Sequence, residues 1–169
     1  VDGVHGIEVQ TEKTWQYANE FLLPRFMVIN KLDKEHSDFG HALETATASF
    51  ARSIVPFTLP IGSEADFKGV VDVVHQKAYE FDADGKAKEI PLPEAGRDVF
   101  ERTRERLIEI VAESDDALME KYFENGTLEE EDIYPNLAKA IASNKLCAVY
   151  AVSAINLVEM QMVVDHINE

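Results

Sequence analysis

Asn30-Lys31-Leu32-Asp33 closes the apolar run Arg25 to Ile29. That run reads as a short buried strand, and ligands of open α/β sheets bind beyond the carboxyl ends of such strands. The tetrapeptide N-K-x-D suits guanine. An Asp33 carboxylate can accept two hydrogen bonds at once, from N1–H and from the 2-amino group. Adenine lacks the 2-amino group and would turn the N1 acceptor towards the carboxylate. A site built in this way rejects the wrong base by about 10⁴-fold or more. The Lys31 stem can lie over the purine face, and the Asn30 amide can tie the loop to its neighbours and reach N7. The same residues would also serve as an ordinary solvated loop.

Ser153-Ala154-Ile155 follows a second apolar run, Leu146 to Val152. There the Ala154 backbone N–H would donate to guanine O6, and a small side chain lets the backbone come close. A Ser-Ala pair alone is common, so its weight lies in its place between a buried strand and a helix. Asp33 and Ser153 stand 120 residues apart, too far for one crossover, so an insertion must separate them.

The elements that hold these loops follow from periodicity. Thr11 to Phe21 has helical spacing, with Trp15, Ala18 and Leu22 on one side, Thr11 as a cap and Pro24 as a stop. His36 to Ser53 reads as a second helix with Phe39, Leu43, Ala46 and Phe50 inward. Val55 to Ile61 is extended, and Pro56 and Pro60 favour an edge strand. Gly69 to Phe81 is rich in β-formers and ends at the turn signal Asp82-Ala83-Asp84-Gly85, with Lys86 to Ile90 returning. Helices are expected over Glu94 to Ser114, Asp115 to Phe123 (stopped by Gly126), and Leu128 to Ser143. Thr127 can cap that third helix, and Pro135 should kink it or make it begin late. Leu157 to Ile167 closes the chain, with Leu157, Met160, Val164 and Ile167 on one side. The fold class is therefore α/β, a partial doubly wound parallel sheet interrupted by an α+β insertion. Residues 1–54 and 145–169 would form the interrupted domain, and 55–144 the inserted subdomain.

Composition narrows the partners. The 169 residues carry 32 acidic and 16 basic side chains, a formal charge of −16. Such a surface repels DNA phosphates and anionic lipid heads. No apolar run is long enough to span a bilayer. The lone Cys147 can form neither an internal disulfide nor a thiolate cage and reads as a small core residue. With no signal peptide, the cytoplasm is the expected compartment. His5, His36, His41, His75 and His166 share no metal spacing, so no metal site is expected. No catalytic triad can be argued either. Glu101, Glu105, Glu109 and Glu113 recur every four residues along one helix. They suit a solvated face or a docking stripe for a basic partner.

Over nearly its whole length the chain resembles the GTP-binding region of bacterial translation elongation factor G, or its elongation-factor-G-like paralogue. The resemblance rests on Gly6 to Glu12 with Trp15, and on Asn30-Lys31-Leu32-Asp33 with Asp38-Phe39. It continues through Pro60-Ile61-Gly62, Phe67 to Asp72, Asp115 with Leu118 to Tyr122, and Ser153-Ala154. It implies a P-loop-GTPase-type sheet that binds GTP or GDP with Mg²⁺. It also implies an inserted subdomain that faces the ribosomal stalk, and makes Asn30, Lys31, Asp33, Ser153 and Ala154 the guanine contacts.

The phosphate-cradling run G-x-x-x-x-G-K-[ST] does not occur in the 169 residues. Asp66 to Gly69 and Asp82 to Gly85 both spell D-x-x-G, but the first precedes a strand and the second reads as a hairpin turn. The opening Val1 to Gly6 reads as the tail of a strand. The chain is thus expected to be a piece of a longer GTPase that keeps the base-reading loops. Alone it should hold no cofactor and turn over no GTP. The competing expectation is a non-catalytic acidic domain that docks on a ribosomal or other protein.

Overall fold

The computed structural model describes residues 1–50 and 53–168. Its element order is α1 (Val9–Glu20), β1 (Met27–Ile29), α2 (Phe39–Phe50), β2 (Ser53–Pro56), β3 (Thr58–Ile61), β4 (Gly69–Asp72), β5 (Lys77–Phe81), β6 (Ala87–Ile90), α3 (Arg97–Ala112), α4 (Asp116–Asn125), α5 (Glu130–Ala142), β7 (Leu146–Ala151) and α6 (Met160–Asn168). Two sheets result. A parallel sheet has the order β1-β7-β2, and an antiparallel sheet has the order β3-β4-β5-β6.

Strand β7 is the spine of the parallel sheet, and all six of its residues are buried. Its alternating side chains serve two cores. Cys147, Val149 and Ala151 face Trp15, Met27, Ile29, Phe39 and Ala46. Leu146, Ala148 and Tyr150 face Leu107, Val111, Ile133, Leu137 and Val163. A strand covered on both faces must be apolar at every position, which is why the sequence shows an unbroken run here. Trp15 stacks on Phe50 with centroids 4.2 Å apart, and the Arg25 guanidinium lies 4.5 Å over the indole.

The extended stretch Val55 to Ile61 is two strands in two sheets. Ser53–Pro56 pairs with β7, and Thr58–Ile61 forms the edge of the antiparallel sheet against β4. Phe57 is the step between them. Its N–H donates to Val149 O at 2.8 Å, and its carbonyl accepts from Val73 N–H at 2.8 Å. One residue on, the Thr58 hydroxyl accepts from Ala151 N–H at 3.0 Å. Backbone satisfaction of β7 therefore continues after β2 has left it.

Several local expectations shift. Helix α1 starts at Val9 after Glu8, which places Thr11 inside the helix. Helix α5 starts after Glu129, beyond Thr127, and carries Pro135 inside. Asp115 caps α4 by accepting from Ala117 N–H, and Gly126 closes it in the left-handed region. The second helix spans Phe39 to Phe50, and Ala51 and Arg52 lie outside the described residues. The last helix turns Val163 and His166 inward, whereas Val164 is half exposed. The side chain of Ile167 is outside the described set.

Candidate functional site

Strands β1 and β7 run parallel as neighbours, so their carboxyl ends open on the same edge. The first loop starts at Asn30. Its N–H donates to Val1 O at 2.9 Å, and its carbonyl accepts from Gly3 N–H at 2.7 Å. The Asn30 side-chain oxygen accepts from Lys31 N–H at 2.7 Å. This closes a tight turn in which Lys31 takes a φ of 67°, the left-handed region that few side chains adopt. Leu32 is buried beneath the loop, and Ser37 Oγ donates to its carbonyl. Asp33 follows with its side chain 8% exposed.

The second loop is closed by a pair of bonds between Ser153 and Val158. Ser153 is fully buried. Its hydroxyl donates to Asp33 Oδ1 at 2.6 Å and accepts from Asn156 N–H at 3.3 Å. Ala154 N–H donates to Asn30 Oδ1 at 3.0 Å. Asn30, Asp33, Ser153 and Ala154 are thus joined directly across the two loops. An ionised carboxylate has about four lone-pair sites, so Asp33 retains acceptor capacity beyond Ser153. The Lys34 ammonium is 3.6 Å from Asp33 Oδ2.

The head of Lys31 is tied to the opening segment. Its ammonium donates to Asp2 Oδ2 at 2.7 Å. That bond holds the Asp2 carboxyl well below the usual carboxylate range and raises the Lys31 pKa. Asp2 also accepts from Val4 and His5 N–H. Nothing in the pattern of Val1 to Gly6 marks it as a partner of the loop.

The insertion touches this edge. Gly85, at the tip of the β5–β6 hairpin, lies so near Leu157 that a Cβ on it would stand 2.7 Å from the Leu157 Cβ. The hairpin reading of Asp82 to Gly85 agrees with its bonds, since Asp82 Oδ1 accepts from Asp84 and Lys86 N–H. Asp66 ends a short 3₁₀ turn and Gly69 opens β4. His36 N–H donates to Glu64 Oε1 at 2.7 Å, a further tie between the first loop and the insertion.

The acidic residues along α3 and at its C-cap differ in their surroundings. Glu101 meets Arg97 and Glu109 meets Arg106, while Glu105 and Glu113 are exposed. Between them Arg104 is buried, and its Nη1 donates to the carbonyls of Val73 and Val74 at 3.0 and 2.6 Å. Burial lowers the Arg104 pKa. Beyond the second loop, Glu159 has no exposed surface, and burial followed by the charge of Asp72 pushes its carboxyl up to about 9. A glutamate flanked by Val158 and Met160 is the one local sign of it. His75 and His166, which share no spacing, both lie against Asp72.

Among the described residues, no helix is long and apolar enough to cross a membrane. The family model of the elongation factor Tu GTP binding domain matches residues 1–169. Elongation factor G of Thermotoga maritima is 39% identical over 150 residues, covering 88% of this chain and 22% of that protein. The elongation factor G-like protein of the same organism is 31% identical over 169 residues, covering 100% of this chain and 24% of that protein. A crystal structure of ttk003000868 from Thermus thermophilus superposes with a TM-score of 0.89 at 29% identity, covering 99% of this chain and 25% of that one. The chain thus spans less than a quarter of the length of these two curated relatives. With its three-stranded parallel sheet, its four-stranded antiparallel insert and a match over the full 169 residues, the chain belongs to the elongation factor Tu GTP-binding domain family.

Proposed function

We propose that Asn30, Lys31, Asp33, Ser153 and Ala154 read guanine for a ribosome-associated translational GTPase of the elongation factor G type, working in the cytoplasm. One observation carries this reading. The Ser153 hydroxyl on Asp33 and the Ala154 N–H on Asn30 lock the two strand ends into one recognition edge. The Asp33 carboxylate then takes the N1–H and 2-amino donors, and the Ala154 N–H is shared with O6. Asn30 holds the two loops in register, and Lys31, pinned to Asp2, borders the base with its stem. Adenine leaves the carboxylate unpaired, a loss worth about 10⁴-fold in discrimination.

These five residues fit the base and not the triphosphate. In this class contacts to the phosphates and Mg²⁺ supply most of the affinity, and hydrolysis needs a phosphate loop and a residue that positions the attacking water. The 169 residues contain no G-x-x-x-x-G-K-[ST] run, so by themselves they bind GTP weakly and do not hydrolyse it. The domain limits 1–54 with 145–169, and 55–144, remain our reading of how the GTP-binding part and its insertion divide the chain.

The test is Asp33→Asn in a protein that joins these residues to a phosphate loop. An amide offers an N–H to the 2-carbonyl of xanthine, so preference should move from GTP to XTP by about tenfold or more. An unaltered base preference would sink the guanine reading and leave an acidic interaction domain. In our reading the exposed side of α3, with Glu101, Glu105, Glu109 and Glu113, docks on a basic patch of a ribosomal stalk protein.

A further inference from the structure

Three side chains from two distant segments meet behind the turn after β4. Asp72 ends that strand and is 1% exposed. Its Oδ1 accepts from the N–H groups of Val74 and His75, both at 2.9 Å. These bonds fix the carboxylate and leave Oδ2 facing two imidazoles. His75 Nδ1 is 2.7 Å from Oδ2, and His166 Nε2, reaching in from α6, is 3.5 Å from it. One donor atom from each residue lies within 4.8 Å of the other two. The two imidazoles lie nearly parallel, with centroids 5.3 Å apart.

Hydrogen bonding leaves this group unfinished. A separation of 3.5 Å is long for an N–H···O bond.

We propose that Asp72, His75 and His166 bind a divalent transition-metal ion of the zinc class. Two imidazoles and one carboxylate are a donor set for zinc, whereas Mg²⁺ and Ca²⁺ take oxygen ligands. Bonds of about 2.0–2.2 Å set tetrahedral ligand atoms roughly 3.3–3.5 Å apart. The Asp72–His166 separation already has that value, and the Asp72–His75 pair must open by about 0.6–0.8 Å. A cleft of about 500 Å³, bordered by Phe57, His75, Tyr134, Pro135 and His166, gives an ion its way in and water a fourth position. The bound ion would staple the turn after β4 to α6.

The 169-residue protein is titrated with ZnCl₂ by calorimetry near neutral pH, and with Co²⁺ by visible absorption. One Zn²⁺ per chain is expected, resistant to millimolar Mg²⁺, together with Co²⁺ bands that Zn²⁺ abolishes. His75→Gln and His166→Gln should each weaken binding by about tenfold or more, with helical circular dichroism retained. His36→Gln and His41→Gln should leave it unchanged. Asp72 also holds its turn, so the histidine variants carry the comparison. In the unmodified protein, Zn²⁺ should shift the imidazole resonances of His75 and His166 and no other histidine, a readout that needs no variant to fold. Absence of a one-to-one site, displacement by Mg²⁺, shifts at other histidines, or full-strength binding by a folded His75→Gln/His166→Gln double variant would each overturn the proposal.

Discussion

Glu159 takes a left-handed φ of 68° and exposes none of its surface. Neither carboxyl oxygen makes a hydrogen bond among the described residues. The Thr58 hydroxyl lies near enough to ease ionisation slightly, but burial and then the Asp72 charge dominate. With its pKa at about 9, the folded chain keeps the Glu159 proton after the unfolded chain has lost it. Below the ordinary carboxylate range both forms are neutral, so the group costs nothing there. As pH rises from that range to about 9, the unfolded chain gains relative stability and the fold weakens. The penalty near pH 7 is on the order of 3 kcal/mol. Glu159→Gln should therefore raise the urea midpoint little at pH 5 and clearly at pH 8. An equal change at both pH values would refute the neutral-carboxyl assignment. At the same scale, N-K-x-D placed Asp33 just past a strand end, where the structure joins it to Ser153. The sequence hid Asp2 and Asp72, whose partners are set only when distant segments meet.

At the scale of elements, β4 and β5 approach so closely at Gly69 that a Cβ there would stand 2.2 Å from Tyr79 O. The obstacle is backbone, which cannot rotate away. Gly69→Ala should separate the two strands and cost about 1–3 kcal/mol or more, read as a lowered unfolding midpoint. A midpoint equal to that of the unmodified chain would show that the sheet accommodates the methyl group. The two buried parallel strands were legible because strands covered on both faces need apolar residues throughout. The division of Val55 to Ile61 was not. Prolines mark an edge, but only pairing with β7 and β4 decides which sheet each half joins. The inward face of α6 was hidden for a related reason. Apolar spacing favoured Val164, whereas the fold seats His166 against Asp72 and Tyr150. Helix caps slipped by two or three residues at Thr11 and Thr127, because both helices begin after a glutamate that makes no side-chain cap.

For the whole molecule, a formal charge of −16 sets the terms of encounter with any basic partner. Glu105→Lys with Glu109→Lys should weaken binding to a basic stalk protein by about tenfold or more at low salt and leave the circular dichroism spectrum unchanged. Binding of undiminished strength would assign α3 to solvation alone. The step at Phe57 and Thr58 bears on the molecule as a unit. Thr58→Val leaves the Ala151 N–H without its acceptor and should cost roughly 1–3 kcal/mol. With β7 bonded to β2, to Phe57 and then to Thr58, neither sheet has a slack hinge at which to part from its neighbour. Heating should accordingly give one calorimetric endotherm, with the Ala151 amide among the slowest to exchange its proton, so that the insertion melts together with the loops it separates in the chain and not ahead of them.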